Sequence, residues 1–590
     1  MIVVNDLYKE KLKLLENDRE QYIAFNAKKS IVIKAGPGSG KTNVLTLKLA
    51  KILKERVFFP RKVACITFSN EAAKEIKKRT YQLIDYNQDN LLIGTIHSFC
   101  LSQILKPFVG LFNCGINRDF EIISKKEKIK WINEIKQELE IPDVLTVIDI
   151  DKERTHMTQG DSQVYVESYD IAFKVAQEYE KRLLMNNMVD FLSIIKISTN
   201  LIQTEPYLRK YLEAKFPYIL IDEYQDLGKP LHEMVLTLVE KTNINLVVVG
   251  DPNQTIYGFN GAIPSYLLEL EGLEQFESVE LKNNYRSHQS ILDASSISLG
   301  LPVGFFTAKT SFDNVPEMNL MKFKGNHSSQ YRYIAKNIIP NLLNKGFKYS
   351  DIAILIRAKN KVKECKKIFE ECNIPHYVMT FDFNRGRFIR FLEDCAAWVL
   401  GNRQVYFKDI LAEWLSFKYD TKPFNYEASE ERVFLYLTLV QSKKFISRFL
   451  RWFAFIYKEL DIKNIISTSK HTDDHSDLRD FANFLSNDGN NLDINTFSNL
   501  STQGNSVSLL TMHSAKGLEY EIVIMPAMEE GTFPFYKVKD SEIDEEKRLF
   551  FVSLTRAKSR CYFLMSKTLY GYAKKPSRFL DDIEFTSITE

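Results

Sequence analysis

The chain has 590 residues, of which 45% are hydrophobic, 12% aromatic and 26% charged. This excludes a disordered, poorly hydrophobic polypeptide and predicts several domains, each with its own core. The formal net charge is +3, so a polyanion has to be held by a local basic groove and not by the charge of the whole protein.

The seven cysteines, at 65, 100, 114, 365, 372, 395 and 561, are scattered without a C-x-x-C pair, which predicts reduced, structural thiols. The N-terminal "MIVVNDLYKEKLKLLEND" has no long apolar region, and no run reaches membrane-spanning length. A cytosolic protein with no membrane partner is expected.

The first apolar run, "SIVIKAG", leads into Ala35, Gly36, Pro37, Gly38, Ser39, Gly40, Lys41 and Thr42. This meets the P-loop pattern, with Ala35 at the position of the first glycine and Gly36 following. The glycines let backbone N–H groups curl around an anion, and a helix beginning near Lys41 adds its N-terminal dipole. Lys41 would reach the β- and γ-phosphates, and the Thr42 hydroxyl would ligate Mg2+.

"VACITFSN", "YILIDEYQD" and "NLVVVGDPN" repeat the pattern of a buried strand followed by a polar turn, which predicts a doubly wound α/β core. Asp222 and Glu223 fall just past one such strand, where adjacent carboxylates serve a magnesium ion and a hydrolytic water respectively. A second strand series begins at "DIAILIRAKNKVKECKKIFEECNIPHYV" and resumes in "VSLLTMHSAKGLEYEIVIMPAM" and "SRCYFLMS".

The expected organisation is therefore α/β: one core from 1–100 and 186–280, and a second from 281–380 and 501–590. Largely helical insertions lie at 101–185 and 381–500, the second shortened. In the latter, "KFISRFLRWFAFIYKEL" reads as packing core, and His471 and His475 of "SKHTDDHSD" as loop residues and not metal ligands.

The ordered series of motifs resembles the UvrD/Rep-like helicases of superfamily 1 across nearly the whole chain. It comprises Gln21 with Ala24, "AGPGSGKT", "ITFSNEAAKEI", "GTIHSF", "NMVDF", "ILIDEYQD", "VVGDPNQTIYGFNGA", "LKNNYRS", "TMHSAKGLEYEIVIMPAMEEGTFP" and "DEEKRLFFVSLTRAKS". The resemblance implies two RecA-like P-loop cores with ATP between them. By the same resemblance Gln21 reads adenine, Tyr285 stacks on it and Glu519 contacts the ribose. Gln254 senses the γ-phosphate, and Arg286 and Arg556 act as arginine fingers. Phe68, His97, Tyr257 and Phe259 fall at positions of a base-stacking platform, with Arg357 and His513 contacting DNA from the second core.

The resemblance implies 3′-to-5′ movement on single-stranded DNA, with tailed duplexes as substrates. Two positions depart from the family pattern: Asn43 and Asn260 stand where relatives often carry arginine. The competing reading, of another class, is an ATP-gated DNA-sensing or motor subunit of a nuclease-containing repair or antiviral defence complex, with little unwinding of its own. The shortened second insertion and the brief tail after "SLTRAK" motivate it.

Overall fold

The apolar runs become strands covered on both faces, as their lack of polar alternation requires. The computed structural model describes residues 2–589 except 85–88, 142–144, 157–168, 311–315, 379–382, 404, 420–424, 470, 472, 488–491, 501–503 and 570. Strands β1 (Ser30–Ala35), β2 (Val63–Thr67), β3 (Leu91–Thr95), β4 (Tyr218–Ile221), β5 (Asn245–Gly250) and β6 (Phe276–Leu281) form a six-stranded sheet. Their order is β3-β2-β4-β5-β1-β6, and every pairing is parallel.

The two faces of this sheet follow the period of two that a pleated strand imposes. Ile31, Ile33, Cys65, Leu220, Val247 and Val249 pack with Val44, Leu45 and Leu49 of helix α2 (Lys41–Glu55). Val32, Ala64, Ile66, Ile219 and Val248 face the other way, onto Ile194, Leu201 and Met234. Those side chains come from α4 (Phe191–Thr204) and α5 (Lys229–Lys241).

The second sheet has seven strands: β7 (Glu317–Phe323), β8 (Ile352–Ile356), β9 (His376–Val378), β10 (Val507–Thr511), β11 (Tyr520–Met525), β12 (Ala557–Ser566) and β13 (Ser587–Thr589). Their order is β9-β10-β8-β11-β12-β7-β13, again parallel throughout. Ile352, Ile354 and Ile356 enter one core cluster while Ala353 and Leu355 enter another. The fold is thus α/β with two RecA-like cores; helix α6 (Ile543–Leu554) packs within the second, and its Arg548 Nε donates to Thr255 O of the first at 2.7 Å.

Two helical segments carry cores of their own. The first includes α3 (Val147–His156) and packs Ile132, Ile135, Ile150, Val175 and Tyr179 together. The second is aromatic, with Phe391, Trp414, Trp452, Phe481 and Phe497 buried. Phe449, Trp452 and Ile456 of the aromatic stripe all point into it. This second segment lies against the helix Asn70–Leu83 through Lys74–Asp394 at 2.7 Å and Lys77–Asp409 at 2.5 Å. It also meets the first insertion in a bridge between Ile122 and His471. Among the described residues no group of three or more His, Cys, Asp or Glu side chains could hold a metal, and no helix is long and apolar enough to cross a membrane.

Candidate nucleotide site and strand-facing surface

In a parallel sheet the carboxyl ends of all strands lie on one edge, which is where ligands bind in open α/β sheets. Here β1 runs into the P-loop, β4 into Asp222 and Glu223, and β5 into Asp251 and Gln254. Gly36 N–H donates to Leu281 O at 3.2 Å, and the Ser39 hydroxyl donates to Gly36 O at 2.8 Å. Gly38 and Gly40 are left-handed, at φ 62° and 79°. A Cβ at Gly38 would lie 2.7 Å from both Arg286 Cβ and Asn284 Nδ2, so this loop passes too close to its neighbour for any side chain.

Lys41 Nζ lies 2.7 Å from Glu223 Oε1. Glu223 itself has φ 53° and ψ 42°, a left-handed conformation that costs a non-glycine residue energy and marks a position held by its surroundings. Gln225 is one such restraint: its Nε2 donates to Glu223 Oε2 at 2.5 Å and its Oε1 accepts from Asp251 N at 3.0 Å. Burial raises the Glu223 pKa, but the charges of Lys41 and Lys516 outweigh it and hold the carboxyl below its ordinary range. Asp222 goes the other way: burial, then the charge of Glu223, push it up to about 7.

Asp222 Oδ1 is buried without a hydrogen-bond partner among the described residues. Asp222 follows β4 and Thr42 lies in the first turn of α2, both at the carboxyl edge of the first sheet, and each offers a hard oxygen of the kind a magnesium ion takes.

Across the cleft, Arg556 is almost fully buried. It donates to Val552 O at 2.9 Å, Leu518 O at 3.2 Å and Gln254 Oε1 at 3.5 Å. Burial, then the charge of Arg286, lower its pKa to about 9. Gln254 in turn donates from Nε2 to Asp251 Oδ2 at 2.6 Å. Arg286 Nε donates to Glu519 Oε2 at 2.8 Å, so the finger candidate and the ribose candidate are paired with each other. Glu519 and Arg556 precede β11 and β12, at the amino edge of the second sheet.

Gln21 of α1 (Arg19–Asn26) donates from Nε2 to Ser39 O at 3.0 Å, which sets it on the P-loop. Tyr285 is half-exposed, and its hydroxyl donates to Asp18 Oδ2 at 2.6 Å. Asp18 also caps α1 by accepting from Gln21 N at 3.0 Å, and it accepts from Asn283 Nδ2 at 3.0 Å. Burial raises the Asp18 pKa, yet these hydrogen bonds, that of Gln21 first, bring it below the ordinary value.

Phe68 and Tyr257 stack at 5.4 Å with an interplanar angle of 21°, and His513 lies 6.4 Å from Tyr257. His97 sits apart from this stack, edge-on to Phe191 at 5.3 Å. Burial pushes His97 and His513 down to about 4, so both rings are neutral at physiological pH. Arg357 is engaged with Glu546 of α6, Nε to Oε2 at 3.1 Å and Nη2 to Oε1 at 2.5 Å. The side chain of Phe259 lies outside the described residues.

Three contacts lie outside the reach of the sequence reading. Lys516 Nζ is 2.6 Å from Asp226 Oδ1, 2.7 Å from Gln254 O and 3.8 Å from Glu223 Oε2. Asp18 ties Tyr285 and Asn283 to the start of α1, and Gln225 braces Glu223. Lys516 and Gln225 stand inside motifs that were legible as such, which is the only signal that singles them out.

Comparison with known proteins matches residues 15–274 to the UvrD/REP helicase N-terminal domain. Residues 279–389 and 411–568 match the UvrD-like helicase C-terminal domain. The chain is 29% identical over 632 aligned positions to the ATP-dependent DNA helicase PcrA of Staphylococcus epidermidis, covering 94% of this chain and 84% of that protein. It is 28% identical over 628 positions to the PcrA of Staphylococcus aureus, with the same coverage.

Proposed function

This chain belongs to the UvrD/Rep-like helicases of superfamily 1, and from that premise we propose that it is a 3′-to-5′ single-stranded DNA translocase that unwinds duplexes by hydrolysing ATP between its two cores. As a member of that family it is an ATP hydrolase. The reading rests on one observation: Lys41, Glu223 and Gln254 of the first core meet Arg556 and Lys516 of the second around a single cleft.

In this reading the P-loop N–H groups and Lys41 receive the phosphates, and Glu223 accepts a proton from the attacking water. Lys41 leaves Glu223 for the phosphates as they arrive, which frees the carboxylate for the water. Thr42 and Asp222 would hold Mg2+, which when bound supplies charge neutralisation at the β- and γ-phosphates. Gln254 links the γ-phosphate position to Arg556, so charge on the transferred group is fully matched only with the cores together. Gln21 and Tyr285 take the adenine. Arg286 and Glu519 part when a nucleotide occupies the cleft, the arginine turning to phosphate and the carboxylate to ribose.

Phe68 and Tyr257 grip bases by stacking, which is independent of sequence because every base offers a π-face. His513 and Arg357 extend that path from the second core, Arg357 by exchanging Glu546 for a phosphate.

Steady-state ATP hydrolysis with and without single-stranded DNA, alongside unwinding of 3′-tailed and 5′-tailed duplexes, tests this reading. Stimulated hydrolysis and unwinding of the 3′-tailed duplex alone are expected, with hydrolysis abolished in Lys41→Ala and Glu223→Gln. Normal hydrolysis in both variants would sink the assignment. Stimulation without unwinding would favour a subunit that acts through a partner.

A further inference from the structure

A helix of the length of α3 is marginal by itself, yet its last turn is held from several sides. Arg154 is fully buried, with Nη1 2.6 Å from Asp190 Oδ2 and Nη2 3.0 Å from Asp190 Oδ1. Its guanidinium lies over the Tyr179 ring at 4.7 Å. Asp190 is itself fixed as the N-cap of α4, in a reciprocal capping box with Ser193. Lys196 of α4 donates to Arg154 O at 3.0 Å, satisfying one of the carbonyls a helix end leaves open. A bidentate pair has one geometry, so the Arg154–Asp190 contact fixes the end of α3 against the start of α4.

What this network positions is the next residue. The Thr155 hydroxyl donates back to Asp151 O at 2.8 Å. Its Cγ2 meets two glycines of the first core: a Cβ at Gly261 would lie 2.7 Å from Thr155 Cγ2, and one at Gly228 would lie 3.2 Å from it. Gly228 lies two residues after Asp226 and stands at the N-cap of α5. Gly261, left-handed at φ 81°, closes the turn that begins at Tyr257. The two loops are joined by a bridge between Gly228 and Ala262. Both glycines are therefore places where a side chain is missing and the Thr155 methyl stands in its stead. The same turn is braced from the second core, where Glu545 accepts from Gly258 N at 3.1 Å.

We propose that Thr155 is a positioning residue: its methyl is a wedge through which the first helical insertion sets the loop carrying Tyr257 against the loop that follows the carboxylates of β4. The helical insertion is then part of the strand grip without touching the strand at this point. The inference rests on the reading of Tyr257 as a base-facing ring.

Two variants separate the methyl from the hydroxyl. Thr155→Ser removes the methyl alone, and the isosteric Thr155→Val keeps that methyl and replaces the hydroxyl with a second one. Amide hydrogen exchange of segments 226–230 and 257–262 in the free full-length protein is read together with the DNA dependence of ATP hydrolysis. In Thr155→Ser both segments are expected to exchange faster and the half-saturating single-stranded DNA concentration to rise about fourfold, the size of one buried methyl group, with DNA-free hydrolysis unchanged. Thr155→Val is expected to match the parent in both. Exchange in Thr155→Ser equal to the parent, or equal impairment in the two variants, would overturn the wedge. Were the parent itself not stimulated by DNA, the strand-facing reading would fall while the exchange comparison still decided the role of Thr155.

Discussion

Lys516, on the connection between β10 and β11 of the second sheet, places its Nζ 2.6 Å from Asp226 Oδ1 and 3.8 Å from Glu223 Oε2 of the first. The connection 512–519 starts at the carboxyl edge of the second sheet beside His513 and ends at its amino edge with Glu519. One short segment thus touches the aromatic stack at one end and the nucleotide cleft at the other, with a lysine reaching the opposite core between them.

Lys516→Met should lower the DNA-stimulated rate of ATP hydrolysis by about 100-fold, the effect of removing one preorganised charge from a water-poor site, while nucleotide affinity changes little. Single-turnover hydrolysis and equilibrium nucleotide binding on the same preparation check this. A variant with weakened nucleotide binding and a normal rate would refute the placement of Lys516 in the transferring machinery.

Asp18 ties Tyr285 and the start of α1 together, so its loss should act on the adenine side. Asp18→Ala removes an N-cap, worth about 1 kcal/mol, and frees the Tyr285 hydroxyl. With Gln21 and Tyr285 loosened, the expected outcome is a KM for ATP raised about fivefold, equivalent to about 1 kcal/mol of nucleotide binding, with kcat nearly unchanged. A fall in kcat at constant KM would place Asp18 in the chemistry instead.

Lys48 supplies a pH dependence. Its Nζ donates to the carbonyls of Ala24, Phe25 and Ala27 at the end of α1, and burial, then the charges of Arg56 and Lys51, push it down to about 7. Below that pH folded and unfolded chains both carry the proton, and the folded chain bears the full cost of burying it. Between about 7 and the ordinary value of 10.5 the unfolded chain alone binds the proton, so stability rises with pH across that window. Urea titrations at pH 7 and pH 9 should show the parent gaining on Lys48→Met by about 1 kcal/mol per pH unit. A difference independent of pH would contradict it.

The strands, the P-loop and the paired carboxylates were legible because each is a local pattern: a β-branched run, glycines at fixed spacing, and acidic residues past a strand. Lys41 and Glu223 also meet for a reason the pattern contains, since β1 and β4 end on the same edge of one parallel sheet. Arg286 with Glu519, Arg357 with Glu546 and Lys516 with Asp226 were illegible, because their partners lie far apart in sequence and a charged loop residue has no periodicity. Asp18 reads as an ordinary helix cap until the fold brings Tyr285 to it. Thr155 has no sequence signal at all, as its role is set by what Gly228 and Gly261 lack.

Three of the cations that line the nucleotide cleft come already matched with a carboxylate: Lys41 with Glu223, Lys516 with Asp226, Arg286 with Glu519. Admitting a polyphosphate there is an exchange of one set of anions for another, carboxylate for phosphate, and not the filling of a bare positive hole. The affinity that results is a difference between two attractions that simple salt screens alike, so ionic strength should affect ATP binding far less than the number of basic residues suggests. A singly charged anion can take the place of only one such carboxylate, and the cleft thereby favours ligands that bring several charges at once.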